Sequence, residues 1–288
     1  MFTGLTLANV LGVPLGTFLG QEFGWRSTFW AVTGIGIVGL LALITLVPAQ
    51  PAPPSGALRG ELAVFRRPQV WLALATTVLG FGGVFASFTY LAPMMTELAG
   101  FSDGAVAWLL VLFGAGLCVG NVLGGRAADR SLMPSLYLIL GGLCLVLVVF
   151  TFTSRAALPA AVTLAAFGAI GFATVPPLQA RVMQQAAGAP ALASAANIAA
   201  FNLGNALGAW LGGLAVAHGL GWTSPTWIGA GLAAAGLGTA ALSGHLDRRS
   251  RRTRPLPAEP FPPAPLPAQH HSAGAGHGTH PIVEQKSR

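Results

Sequence analysis

Apolar residues in this chain come in long runs separated by short polar breaks, and eight of the runs approach 20 residues. They cover residues 2–19, 28–47, 70–91, 105–124, 132–152, 158–178, 192–216 and 225–242. About 20 mostly apolar residues are what an α-helix needs to cross a hydrocarbon core. The runs lack the alternation of barrel strands and exceed the length of one, so each predicts a helix. The expected fold class is all-α, a polytopic transmembrane bundle of about eight spans.

Small residues recur every fourth position in the first run, at Gly4, Ala8, Gly12, Gly16 and Gly20, with Pro14 among them. In a soluble helix each interior Gly would cost about 1 kcal/mol and the Pro about 3 kcal/mol. In a bilayer small residues let helices approach closely, and a proline bends the span it interrupts. Gly12, Pro14, Gly16 and Gly20 therefore read as a helix-packing motif. The ladder returns as Ala196, Ala200, Gly204, Gly208 and Gly212, each 192 positions after its counterpart. Gly24-Trp25 is echoed by Gly221-Trp222 once a five-residue insertion is allowed. Runs one and two thus correspond to runs seven and eight, which makes the repeat unit six helices, and six plus six is a known transporter plan. On this reading the first unit here has only its last two helices, and four belong in front of them.

Charge orients the spans. Of the 15 basic residues only Arg26 and Arg155 fall on one side. Arg59, Arg66, Arg67, Arg126, Arg130 and Arg181 lie in short breaks on the other, and seven more follow the last run. Basic residues collect on the cytoplasmic side, so both termini are placed in the cytoplasm. Composition agrees with the membrane reading: 53% of residues are hydrophobic and only 8% charged. The net charge of +7 follows from the orientation rule and the tail, and gives no reason to expect nucleic acid.

The polar breaks divide the chain. Residues 1–48 hold the first two spans, 49–68 a linker, 69–246 six further spans and 247–288 a tail. The linker opens with Pro51, Pro53 and Pro54, then sets Leu58, Leu62 and Phe65 beside Arg59, Glu61, Arg66 and Arg67. That pattern predicts a short amphipathic helix on the membrane surface. The tail carries five arginines between Arg248 and Arg254, suited to anionic lipid, then a proline run that forms no core.

Polar and aromatic positions sharing a helical face inside the spans are the candidate cavity lining. Asn197, Phe201 and Asn205 form one stripe beside the small-residue ladder,. An amide in hydrocarbon faces protein or water, and both interhelical bonding and ligand contact account for it. Thr77, Phe81, Phe85 and Phe88 share another stripe, open to packing or to a cavity. Thr174, Pro176, Pro177 and Gln179 mark a break or bend in the sixth run. All eight acidic residues lie in breaks, at span ends or in the tail, so none of the spans offers a midmembrane carboxylate for proton relay.

No catalytic, metal or cofactor site is expected. Cys118 and Cys144 lie within apolar runs as packing residues,. The six histidines fall in breaks or the tail, and the chain has no GxSxG, GxxxxGK[ST] or HExxH,. Gly34, Gly36 and Gly39 spell the letters of a dinucleotide fingerprint, but within an apolar run and after no strand,.

Three stretches carry a resemblance. The run from Gly12 through Pro14, Gly16, Gly20 and Gly24-Trp25-Arg26 to Trp30 resembles the fifth helix of the major facilitator superfamily in its drug and sugar efflux members. Gly124-Gly-Arg126-Ala-Ala-Asp129-Arg130 is similar to the second-half copy of that family's cytoplasmic G-x-L-A-D-R-x-G-R loop, although Ser131, Leu132 and Met133 replace the expected Gly and basic residues. The stretch around Asn197, Phe201, Asn202, Gly204 and Asn205 resembles the eleventh helix of the arabinose-efflux or drug-efflux type. The resemblance implies helices five to twelve of a twelve-helix carrier in the inner membrane. It further implies secondary efflux of a small organic molecule by alternating access, not enzymatic activity, with the proton as candidate coupling ion of an antiporter. Gly124, Arg126, Asp129 and Arg130 would form a gating loop in which Asp129 clasps neighbouring arginines. The rival expectation is a membrane protein that transports nothing, such as a scaffold.

Overall fold

The computed structural model describes residues 12, 15–16, 18–20, 22–48 and 61–252. Pro14, most of the first expected span, the body of the linker and the tail beyond Arg252 lie outside the described residues, whereas residues 247–252 continue the last helix. The rest is helical: α1 Trp25–Leu46, α2 Pro68–Phe88, α3 Leu91–Glu97, α4 Asp103–Arg130, α5 Leu132–Thr153, α6 Ala157–Ala173, α7 Val175–Gln185, α8 Pro190–Ala217 and α9 Ser224–Arg252. Among the described residues seven segments are long and apolar enough to cross a membrane, with α2 and α3 forming one and α6 and α7 another. They match the second to eighth apolar runs.

The boundaries follow local chemistry. Pro68 opens α2 at a position whose N–H has no intrahelical partner,. A single residue, Ser131, separates α4 from α5, and its N–H still bonds the Ala127 carbonyl at 3.0 Å. The stretch from Gly124 to Arg130, expected as a loop, is therefore the last two turns of α4. Nothing in Gly-Gly-Arg-Ala-Ala-Asp-Arg stops a helix whose end is polar, and its three charged side chains are exposed. Only the close of the linker is described, as a 3-10 turn at Ala63–Arg66 with Val64 buried.

α2 is the hub of the six-span body, held between α8 and α9 by backbone contact. A Cβ on Gly82 would lie 3.0 Å from the Gly204 carbonyl oxygen of α8, and one on Gly83 would lie 2.6 Å from that of Gly229 in α9. On the other flank Gly116, Gly120 and Gly124 of α4 face the backbone of Ala165, Ala169 and Ala173 in α6. Both seams use the small-residue packing that membranes favour. α5 closes the core with Leu136, Leu140, Leu143, Leu147 and Phe150, all buried on one stripe,. Leu138, Leu145 and Phe152 point outward, as lipid contact requires.

α1 differs. None of its residues is buried. Gly24, with φ 78°, turns the chain into it, a backbone that glycine adopts without penalty. Its side-chain ties to earlier residues are Ser27 Oγ donating to the Leu19 carbonyl at 2.9 Å and Thr28 Oγ1 donating to that of Gly16 at 3.2 Å.

Candidate functional site

The phenylalanine stripe of α2 meets aromatics from three other helices. Phe81 packs edge-on against Phe201 of α8, with centroids 4.8 Å apart, and against Phe172 of α6 at 5.7 Å. Phe88 stacks on Phe113 of α4 at 4.9 Å. These edge and offset arrangements are the favourable ones for aromatic quadrupoles. Between them a narrow cleft of about 30 Å³ is lined by Phe85, Phe88, Leu110, Phe113, Gly114, Leu117 and Phe172. Phe172 stands two residues before Thr174, where α6 breaks from α7. There the Thr174 hydroxyl donates to the Gly171 carbonyl at 2.5 Å, and Pro176 and Pro177 follow within α7.

A polar network lies on the α7 side of that break. Thr77 Oγ1 donates to Asn197 Oδ1 at 2.8 Å, and Asn197 Nδ2 donates to Gln179 Oε1 at 2.6 Å. Gln179 Nε2 continues to Ser194 Oγ at 3.2 Å. Thr77 and Asn197 are both wholly buried, so the network ties α2, α7 and α8 together. Asn205, two turns along the same stripe of α8, is different. Its Oδ1 is buried and has no hydrogen-bond partner among the described residues. A buried acceptor without a partner is uncommon.

The expected site residues thus separate. Phe81, Phe85 and Phe201 share one aromatic cluster, Thr77 and Asn197 bond each other, and Asn205 retains a free acceptor. The residues of the family-like loop take another course. Gly124 packs on Ala173, whereas Arg126, Asp129 and Arg130 are exposed. Asp129 has no ion pair among the described residues. On a helix Asp129 does not face the adjacent Arg130, and Arg126, three residues back and on its side of the helix, forms no ion pair with it among the described residues,.

Arg181 of α7 is ion-paired with Asp247 of α9, Nη2 to Oδ2 at 2.7 Å. Arg181 is only 3% exposed. Its Nη2 also donates to Ser243 Oγ at 2.6 Å, and Ser243 Oγ donates to Gln69 Oε1 of α2 at 2.6 Å. Burial of a guanidinium is sustained by this charge-assisted bonding. Sequence reasoning treated Arg181 as one more positive anchor. The available signal was Ser243 and Asp247, four residues apart and so on one face of the last helix.

These helices define a polytopic membrane bundle with an aromatic cleft at a broken span. The family model described as Major Facilitator Superfamily matches residues 1–198. The inner membrane transport protein YdhP of Escherichia coli K12 is 44% identical over 230 residues, 80% of this chain and 59% of that protein. The putative transporter AraJ of the same strain is 33% identical over 275 residues, 91% of this chain and 66% of its own length. A chloramphenicol resistance protein of Streptomyces lividans is 36% identical over 245 residues, 82% of this chain and 62% of its own. The chain belongs to the major facilitator superfamily. It spans about three fifths of the length of YdhP.

Proposed function

We propose that this chain serves secondary active efflux of a small, uncharged organic molecule, drug-like or sugar-like, by alternating access. The observation that carries the reading is the aromatic cleft at the Thr174 break. Broken helices beside a site are a recurrent transporter device, and a cleft walled by phenylalanine holds an apolar or ring-shaped surface. Asn205 does not line the cleft, but it stands one turn along α8 from Phe201, which packs on Phe81, and we assign its free acceptor a hydrogen bond to the cargo. No charged side chain lines the cleft, which favours a neutral cargo. The chloramphenicol resistance protein among the relatives supports a drug-like one.

In this reading residues 69–246 form the second six-helix half and residues 1–48 the last two helices of the first. Residues 49–68 link the halves, and 247–288 are a cytoplasmic tail, both termini being cytoplasmic. Arg126, Asp129 and Arg130 gate by engaging groups presented in another conformation. The described spans carry no acidic residue away from their ends, so any proton coupling relies on groups outside them.

Accumulation of radiolabelled chloramphenicol and of a panel of sugars in cells expressing the chain tests the proposal. Lower accumulation than in control cells is expected for at least one compound, with the difference abolished by Phe81→Ala and reduced by Asn205→Leu. Equal accumulation across the panel, with the chain present in the membrane, would favour the non-transporting scaffold. The unburied α1 is the observation on that side.

A further inference from the structure

We propose that the groove at the amino end of α2 is a binding site for one anionic phospholipid. The groove is shallow and open, measures about 650 Å³, and is lined by Phe65, Arg66, Pro68, Trp71, Leu72 and Ala75. Five of these six side chains are apolar and the sixth is a cation. That is the complement of an amphiphile with a negative head.

The groove is preformed. The Trp71 indole N–H donates to the Phe65 carbonyl at 2.7 Å, and the two rings pack at 6.1 Å and 58°. With its polar atom engaged internally, Trp71 still exposes 59% of its surface, so what it offers outward is an apolar ring face. Tryptophan at the edge of a membrane span sits at headgroup depth. Arg66 is exposed beside it and makes no ion pair among the described residues.

Charge at this end of the bundle favours an anion. The amino end of α2 lies beside the carboxyl ends of α7 and α9, as the bonds from Arg67 to the Gln185 carbonyl and from Gln69 to the Ser243 carbonyl show. Exposed arginines gather here, Arg66, Arg67 and Arg248 among them, while the nearby Asp247 is taken up by Arg181. Basic side chains near a membrane surface attract anionic lipid. A free phosphate would use Arg66 alone and leave the apolar wall empty. A phospholipid uses both, with its phosphate at Arg66 and its upper acyl chain along Trp71, Leu72 and Ala75.

The test is native mass spectrometry of the full chain purified from nanodiscs containing phosphatidylglycerol and phosphatidylcholine in equal amounts. The chain is expected to retain phosphatidylglycerol preferentially. Arg66→Gln should lower that retention about fivefold, the worth of one basic side chain at an anionic surface. Arg66→Lys should keep most of it, Trp71→Ala should lower it, and Arg26→Gln at the opposite membrane face should leave it unchanged. Equal retention in Arg66→Gln and the parent chain would overturn the proposal, as would an equal loss of phosphatidylcholine. Should Trp71→Ala fail to fold, the exposed Arg66 decides alone.

Discussion

The turn at Gly24 and the turn at Gly221 share their bonding. Both glycines are left-handed, with φ 78° and 80°. In each, the serine three residues on, Ser27 or Ser224, returns its N–H at 3.0 Å and its hydroxyl at 2.7 Å to the glycine carbonyl. The ladders that lead into these turns have different surroundings. Gly204, Gly208 and Gly212 lie against the backbone of α2 at Val78, Gly82 and Ala86. Among the described residues, a Cβ on Gly16 or Gly20 would meet only the Thr28 side chain, at 3.5 or 3.6 Å, and one on Gly12 would meet nothing within 4 Å. The spacing of small residues therefore encodes a capacity for close packing, and burial is conferred by a partner. In the second copy the partner is α2. A helix standing to the first copy as α2 stands to α8 is not among the described residues.

Buried charge sharpens this contrast most. Arg181→Leu leaves Asp247 without its cation and should cost about 3–5 kcal/mol. Arg26, stacked 5.3 Å over the Trp25 ring, should cost no more than about 1 kcal/mol when changed to Gln. Unfolding titrations in mild detergent measure both. The double variant Arg181→Leu with Asp247→Leu should recover much of the loss, and failure to recover would mean that the pair acts by more than charge compensation.

Gly208→Val tests the ladder itself. Its Cβ would fall on the Gly82 carbonyl, and neither helix can retreat without breaking the seam, so about 3 kcal/mol is expected. Gly12→Val, in the first copy, should cost nothing, because Val has the higher helix propensity, and should raise stability by about 0.5 kcal/mol at most. Equal costs in the same titration would show that the first ladder is packed as tightly as the second. Asn197→Leu comes next, at about 1–2 kcal/mol, because it removes the bonds to Thr77 and Gln179. A double-mutant cycle with Thr77→Val should give a coupling near 0.6 kcal/mol, typical of hydrogen bonds in membrane bundles.

How far the sequence carried these features depends on whether they are properties of one helix or of several. The spans were legible because roughly 20 apolar residues have few other uses, and Thr77, Phe81 and Phe85 were legible as a stripe because helical spacing is local. That Phe81 would meet Phe172 and Phe201, and that Phe113 would complete the cleft, required the packing of α4, α6 and α8 on α2. Asn197 and Asn205 share a stripe, yet one is bonded at both ends and the other keeps a free acceptor. Their difference lies in Gln179 and Thr77, on other helices. The helical end of α4 was misread because charge density resembles a loop, although only Ser131 departs from the helix. Arg181 was hidden among the anchoring arginines, since no single-residue property distinguishes a buried cation from a surface one.

Thr28→Val should have the smallest effect and bears most directly on the contrast. Thr28 Oγ1 donates to the Gly16 carbonyl at 3.2 Å, and Val keeps the size of the side chain while removing that bond. One such bond is worth about 0.5–1.5 kcal/mol net, and a part-exposed one at this length belongs at the low end. The two ladders nevertheless predict where the loss is felt. If α1 is independent of the six-span body, hydrogen exchange should quicken around Gly16 and Thr28 while the unfolding midpoint of the body stays fixed. If the midpoint falls with Thr28→Val as it does with Asn197→Leu, the hairpin and the body unfold together. The first ladder would then transmit stability despite its bare face, and burial alone would no longer separate the two copies.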